Sequence, residues 1–412
     1  MKIAYFDYWT EGIQNFVPFD SMLRKRGHET LLLHIGSFNA VHSKEEVVNG
    51  IKCRDISYYN TKMIYKMIEQ EKPDIIITLN TTKLLDRVIT MSCRKLKIKS
   101  IYLMHGMRDF GSSNDQLVVL MEQSYNSFIK RIKKAGKYFT TVIPNYLYAL
   151  AKYKPIHIIN LRFLKVIYSY FKNPGKAIYF PEYRDELLND KCLVYSANEG
   201  KYYEKLGYSS QNITVVGNPK NNTLHDMIIN NKFTADMLPE RVQALIKAGK
   251  KYAVYLEESF PEQNNMGGYT AEIRDKFIKE CAERLKKENL KLVVKLHPTT
   301  EEKNISARHD NCLIEKNHLD ALIYFSEFCI CSLSTTINNS VLMNKPVLMP
   351  QGYSSTNLPT FFIDVGVSNC WKNINDELNL TVDKDAREKY IKNYITVVTP
   401  DAVNNILRGI SA

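Results

Sequence analysis

Short apolar runs alternate along the chain with longer stretches whose apolar positions recur every three to four residues, and turn formers separate the two. The spacing predicts strands over residues 2–6, 29–34, 74–79 and 99–104, with helices over 15–26, 62–71 and 81–95 between them. Gly27 and Pro73 stop two of those helices. After a long basic segment the rhythm resumes with a strand over 191–196, a helix over 199–206 and a strand over 212–216, closed by Gly217-Asn218-Pro219. Residues 221–250 read as polar and helical. The pattern then restarts: strands over 251–257, 291–296, 312–315, 328–332 and 346–349, helices over 270–288, 319–325 and 335–343. Residues 385–410 read as helical. Strand, helix, strand in this order means right-handed βαβ units and parallel sheets.

The fold expected is therefore α/β, with two doubly wound Rossmann-like units facing across a cleft. The boundaries fall at 1–220, 221–384 and 385–412, the last a helix crossing back to the first domain. A chain of 412 residues suits two domains at roughly 150 residues each. Ligands of such sheets bind beyond the carboxyl ends of the strands.

Charge changes this picture in one place. The chain carries 56 Lys+Arg against 44 Asp+Glu, a net +12. Residues 123–181 hold no acid but eleven Lys and Arg, among them Lys130, Arg131, Lys133 and Lys134, interleaved with Tyr and Phe. Lysines attract anionic headgroups and rings settle at an interface, so this segment is expected to meet an anionic membrane surface. Outside it the charge is balanced and no nucleic-acid-binding pattern occurs, so no nucleic-acid partner is expected. The 8 cysteines form no CxxC pair, which argues against a zinc site and fits a reducing cytoplasm. Asp7 comes too early for a signal peptide, and no uninterrupted apolar stretch of about 18 residues exists to span a bilayer. The expected location is cytoplasmic, peripheral on the inner face of the membrane.

Candidate chemistry gathers at predicted strand ends. Lys295-Leu296-His297-Pro298 ends one strand: His297 can donate to a phosphate oxygen, Pro298 fixes the turn and Lys295 adds charge. Ser332-Leu333-Ser334-Thr335-Thr336 opens a helix, where hydroxyls and unpaired amides suit an anion or a simple cap. Glu257-Glu258-Ser259 puts two carboxylates at one strand end, and one of them is expected to face the cleft. Glu315, 18 residues after His297, is a candidate for ribose hydroxyls. In the first half, His105, Gly106, Arg108 and Asp109 follow a strand, and Gly12 follows Asp7 in the loop that usually lines such a cleft.

Together these residues resemble the GT-B glycosyltransferases of bacterial surface polysaccharides, and most of all the bacterial sialyltransferase group. That group orders three motifs: an acidic pair with Gly, a His-Pro, and a Ser or Ser-Ser/Thr. Here they are Glu257-Glu258-Ser259, with Ser in place of Gly, His297-Pro298, and Ser334-Thr335 or Ser332. The resemblance implies an inverting, metal-independent transfer of a nonulosonic acid from a CMP-activated donor to a surface glycan or lipid-linked glycan. No further cofactor is implied, and no Asp-x-Asp pair sits in a suitable loop. His297 then contacts or protonates the departing phosphate, and Ser334 and Thr335 hold it. The base is Glu258, Asp7, His105 or Asp109. A similar His-Gly plus His-Pro pair occurs in transferases that use CDP-glycerol. UDP-GlcNAc 2-epimerases share the fold, but Asn338 and Asn339 stand where their Glu is usual. A non-catalytic scaffold of a polysaccharide assembly complex is the non-enzyme alternative.

Overall fold

The computed structural model describes every residue except 82, 108–135, 137, 154–167, 169–186, 263–267, 354–359, 398–400 and 412. Contacts divide the described chain into two compact units, with a boundary between Pro219 and Lys220.

Among the described residues the first unit holds a sheet of eight strands: β1 (Lys2–Asp7), β2 (Glu29–His34), β3 (Glu45–Val48), β4 (Ile51–Asp55), β5 (Ile75–Thr78), β6 (Lys99–Leu103), β7 (Lys191–Val194) and β8 (Ile213–Val215). Their order is β3-β4-β2-β1-β5-β6-β7-β8, parallel throughout except for the β3–β4 pair. Helices α1 (Val17–Lys25), α2 (Ile64–Glu71), α3 (Leu84–Leu96), α4 (Ile143–Tyr153) and α5 (Ala197–Lys205) accompany it. In β1, Ile3 and Tyr5 enter one core cluster while Ala4 and Phe6 enter another. Helices cover both faces, so the strand reads as a continuous apolar run rather than an alternating one.

The second unit runs α6 (Pro219–Ile229), α7 (Glu240–Lys247), β9 (Lys251–Leu256), α8 (Ala271–Lys287), β10 (Leu290–Lys295), β11 (Cys312–Glu315), α9 (Leu319–Phe325), β12 (Cys329–Ile330), α10 (Ile337–Leu342), β13 (Val347–Pro350), α11 (Phe361–Asp364), β14 (Asn369–Trp371) and α12 (Lys384–Tyr390). Its sheet is ordered β11-β10-β9-β12-β13-β14, parallel throughout. This is the doubly wound order, reversing direction between β9 and β12. The fold class is thus two Rossmann-like α/β units with parallel sheets.

Three features depart from the sequence reading. The β3–β4 hairpin occupies a region left without elements, although Asn49-Gly50 is a strong hairpin signal. Both residues take positive φ (51° and 76°), as a two-residue turn between right-twisted strands requires. Residues 385–410 are not one helix. The chain breaks after Ile395, where Thr396 has φ 44°, and resumes as α13 (Ala402–Ser411). Helix α12 stays with the second unit: Arg387 donates to the Lys345 carbonyl and the Tyr390 hydroxyl to Asn338 Oδ1 at 2.8 Å. Helix α13 belongs to the first unit and puts Ile406, Leu407 and Ile410 into the core cluster of β1 and β7.

Most of the basic window 123–181 lies outside the described residues. Its described helix, α4, has an ordinary core side: Ile143, Tyr146 and Ala149 are buried among residues of α2 and α3. Asn145 fixes the packing, accepting from the Ile64 amide at 2.7 Å and donating to the Lys62 carbonyl at 2.9 Å. Some aromatics of the window are therefore packing residues and not surface ones. No helix among the described residues is long and apolar enough to cross a membrane.

Leu407→Ala is expected to lower the stability of the first unit by about 2–5 kcal/mol, as for a fully buried leucine. The urea midpoint of its unfolding checks this.

Candidate active site

The four motifs of the second half fall on four neighbouring strands of one sheet, β11, β10, β9 and β12, all at the carboxyl edge. Glu315 ends β11, His297 follows β10, Glu257 and Glu258 follow β9, and Ser332 follows β12.

Glu257 and Glu258 are both buried, at 4% and 6% exposure. Each holds a neighbouring loop. Glu257 Oε2 accepts from the His297 amide at 3.0 Å, and its Oε1 lies 3.4 Å from Arg274 Nη1. Glu258 Oε1 accepts from the Leu333 amide. One carboxylate thus organises the His-Pro turn and the other the serine turn, at the point where the strand order reverses.

Their protonation follows from burial. Desolvation pushes Glu258 up to about 8, outweighing the hydrogen bonds from the Leu333 amide and from Ser332 that favour the ionised form. Burial also raises Glu257, against the opposing pull of the His297 amide and Arg274. The Glu258 carboxyl anchors the serine turn.

His297 is half-buried. Its Nδ1 accepts from the Thr299 amide at 3.2 Å and lies 2.8 Å from Thr299 Oγ1. An acceptor Nδ1 leaves the proton of a neutral ring on Nε2. Burial, and then Lys295, hold the pKa of His297 below its usual value. The ring is therefore a neutral imidazole offering an Nε2–H donor. Pro298 and Thr299 are exposed. Lys295 is buried and turns its ammonium onto the Leu296 carbonyl at 2.6 Å; burial lowers its pKa.

In the serine turn, Ser334 Oγ accepts from the Thr336 amide at 3.2 Å and donates to Thr336 Oγ1 at 2.8 Å. Ser332 is buried beside Glu258, and Thr335 is exposed. Glu315 lies 3.3 Å from Arg241 Nε of α7, and its carboxyl is raised, mainly by burial.

The residue the sequence reading missed is Arg274. Fully buried on α8, it reaches Glu257, Glu262 at 2.8 Å and the Asn304 carbonyl at 2.7 Å. The signal is an arginine at 274 in the same helical stripe as Phe277, Ile278 and Cys281, which are all buried.

In the first unit, Asp7 ends β1, between β2 and β5, where that sheet's order also reverses. The following 3₁₀ turn, Thr10–Asn15, lies over it: a Cβ on Gly12 would fall 1.6 Å from Asp7 Oδ2. Only glycine allows that approach. His105 follows β6 and is half-buried, and a Cβ on Gly106 would meet nothing within 4 Å. Arg108 and Asp109 lie outside the described residues.

Similar structures in this fold class are nucleotide-sugar enzymes. A putative UDP-N-acetylglucosamine 2-epimerase from Listeria monocytogenes aligns over 100% of this chain and 96% of its own, with a TM-score of 0.54 and 12% identity. The S. aureus MnaA–UDP structure aligns over 100% and 96%, with a TM-score of 0.52 and 12% identity. The Methanocaldococcus jannaschii UDP-GlcNAc 2-epimerase, in complex with UDP-GlcNAc and UDP, aligns over 100% and 99%, with a TM-score of 0.52 and 12% identity. At this identity the likeness shows the fold, which is that of GT-B enzymes. No family model matches the sequence, and no curated protein matches it.

Because the folded state favours neutral Glu258, it binds more protons than the unfolded chain between about 4.5 and about 8. Stability from this group is complete below 4.5 and falls as pH rises through 8. Glu258→Gln is expected to flatten the pH dependence of the second unit's denaturation midpoint across that window, measured by chemical denaturation at a series of pH values.

Proposed function

We propose that the chain is a GT-B glycosyltransferase whose second unit binds a nucleotide-activated sugar. The observation that carries this reading is the placement of four motifs on adjacent strand ends, with a neutral His297 offering Nε2–H after β10 and a hydroxyl-rich turn after β12. Such an edge suits a phosphate: imidazole and amide donors, with hydroxyls from Ser334 and Thr335. The acceptor hydroxyl attacks the anomeric carbon, the bond from that carbon to the phosphate oxygen breaks, and the electron pair leaves with the nucleotide. A departing CMP is a good leaving group, so hydrogen bonding from His297 serves without full proton transfer. The base that takes the acceptor proton is one of Glu258, Asp7, His105 and Asp109, and Glu258 also anchors the serine turn. Glu315 is assigned to the ribose.

The order of the acidic, His-Pro and Ser motifs favours a CMP-activated nonulosonic acid as donor. A UDP-sugar is the second reading, because similar structures hold UDP and UDP-GlcNAc. Transfer is preferred to epimerisation because Asn338 and Asn339 have no acid–base capacity. Both are bound structurally, to Tyr390 and to Asp320 at 2.8 and 2.7 Å. The acceptor is assigned to a surface glycan, with the basic window 123–181 on an anionic membrane.

The test is a thermal-shift panel of CMP, CDP, UMP, UDP and GDP, followed by turnover of CMP-sialic acid against CDP-glycerol. A ligand at 100 times its Kd adds about 2.7 kcal/mol of stability. Selective stabilisation by CMP with turnover of CMP-sialic acid is expected. Selective UDP stabilisation moves the donor to the second reading, and turnover of CDP-glycerol reassigns the reaction to glycerophosphate transfer. The absence of any nucleotide effect leaves only a scaffold role. His297→Ala is expected to lower the transfer rate by about 10²-fold or more while keeping the fold. Near-normal turnover in that variant contradicts the assignment.

A further inference from the structure

The first unit carries a second concave surface, at the end of its sheet opposite His105. Lys99 opens β6 and Lys191 opens β7, so both stand at the amino edge, whereas the groups described above follow carboxyl edges. Beside them a cavity of about 560 Å³ is lined by Arg94, Lys97, Ile98, Lys99, Tyr153 and Asp190.

Among the described residues, Arg94, Lys97 and Lys99 line this cavity with one carboxylate, and that carboxylate is already committed. Asp190 Oδ2 accepts from the amide and the hydroxyl of Ser100, each at 2.8 Å, and Oδ1 lies 3.6 Å from Arg94 Nη2. Lys99 Nζ meets only a neutral acceptor, the Ile410 carbonyl at 3.4 Å. Among the described residues neither Lys97 nor Lys99 has a carboxylate within ion-pair distance. Burial, and then Lys191, pull the pKa of Lys99 down, as expected for a cation short of counter-charge. The carbonyl end of α3 accounts for Arg94 in its last turn and for Lys97 at its cap. It does not account for Lys99 and Lys191, which begin strands. Ile98 and Tyr153 supply an apolar side to the same cavity.

We propose that this cavity is a phosphate-binding site, with Lys97 and Lys99 on the phosphate and the carrier of that phosphate against Tyr153 and Ile98. Charge-assisted hydrogen bonds from lysine suit a phosphate monoester or diester. The same chemistry serves a phospholipid headgroup and a soluble phosphate ester. The site stands independently of the donor reading, since it shares no residue with it.

The test uses the full chain, with inorganic phosphate and with vesicles of phosphatidylglycerol or phosphatidylcholine as probes. Calorimetry is expected to show phosphate binding that weakens at least about tenfold in K97Q/K99Q, since two charged contacts are lost. It is expected to stay unchanged in K276Q/K279Q, two exposed lysines of α8. Lys99→Arg keeps the charge and is expected to retain binding, which separates loss of charge from loss of fold. Unchanged binding in K97Q/K99Q, equal losses in both double variants, or no phosphate binding by the wild-type chain overturns the proposal. Phosphate-competed binding to phosphatidylglycerol vesicles identifies the source as a lipid headgroup. Phosphate binding without vesicle binding identifies it as a soluble ester, and both results support the site.

Discussion

The second unit is organised around the buried guanidinium of Arg274. A charge with no solvent exposure is costly unless its surroundings neutralise it and satisfy its donors. Here Glu257 and Glu262 of the β9–α8 connection and the Asn304 carbonyl of the loop after β10 do so. Meeting that demand fixes where β9 ends, where α8 begins and how the 297–304 loop returns. Glu257 is the shared member. One oxygen answers Arg274 and the other holds the His297 amide. The neighbouring Asp275 extends the network, accepting from the Ser306 amide at 2.8 Å. The His-Pro turn is held in place by a buried ion pair rather than by its own residues.

The same logic sets the division of labour between adjacent glutamates. Glu257 holds the turn after β10 through the His297 amide, and Glu258 the turn after β12 through the Leu333 amide. The pair therefore braces both loops that flank the switch point. In the first unit the corresponding position is Asp7, and it is Gly12 rather than a charge that permits the close approach above it. Each unit places a buried acid at the reversal of its strand order, Asp7 in the first and Glu257 and Glu258 in the second, the position where doubly wound sheets bind ligands.

Much of the fold was legible in the sequence because buried parallel strands and amphipathic helices have distinct periods. Residues 29–34, 312–315 and 319–325 are found in the elements the pattern gives them. The β3–β4 hairpin was missed because Glu45, Glu46, Lys52 and Arg54 make its strands look polar, although Asn49-Gly50 marked the turn. The placement of His297, Glu258 and Ser332 at strand ends was legible for the same periodic reason. Their partners were not. Nothing local shows that Glu257 holds the His297 amide 40 residues away, or that Glu258 holds the Leu333 amide 75 residues away. Both glutamates are buried, and Arg274 and two backbone amides compensate them inside the protein.

The carboxyl edge of the second sheet is proposed as a nucleotide-phosphate site. Hydrogen exchange of the chain with and without CMP and UDP tests it most directly. The account predicts that the nucleotide that binds slows exchange at the amides of 297–300 and 332–337, with the core strands unchanged. Binding that leaves both loops unprotected, with protection elsewhere, contradicts it.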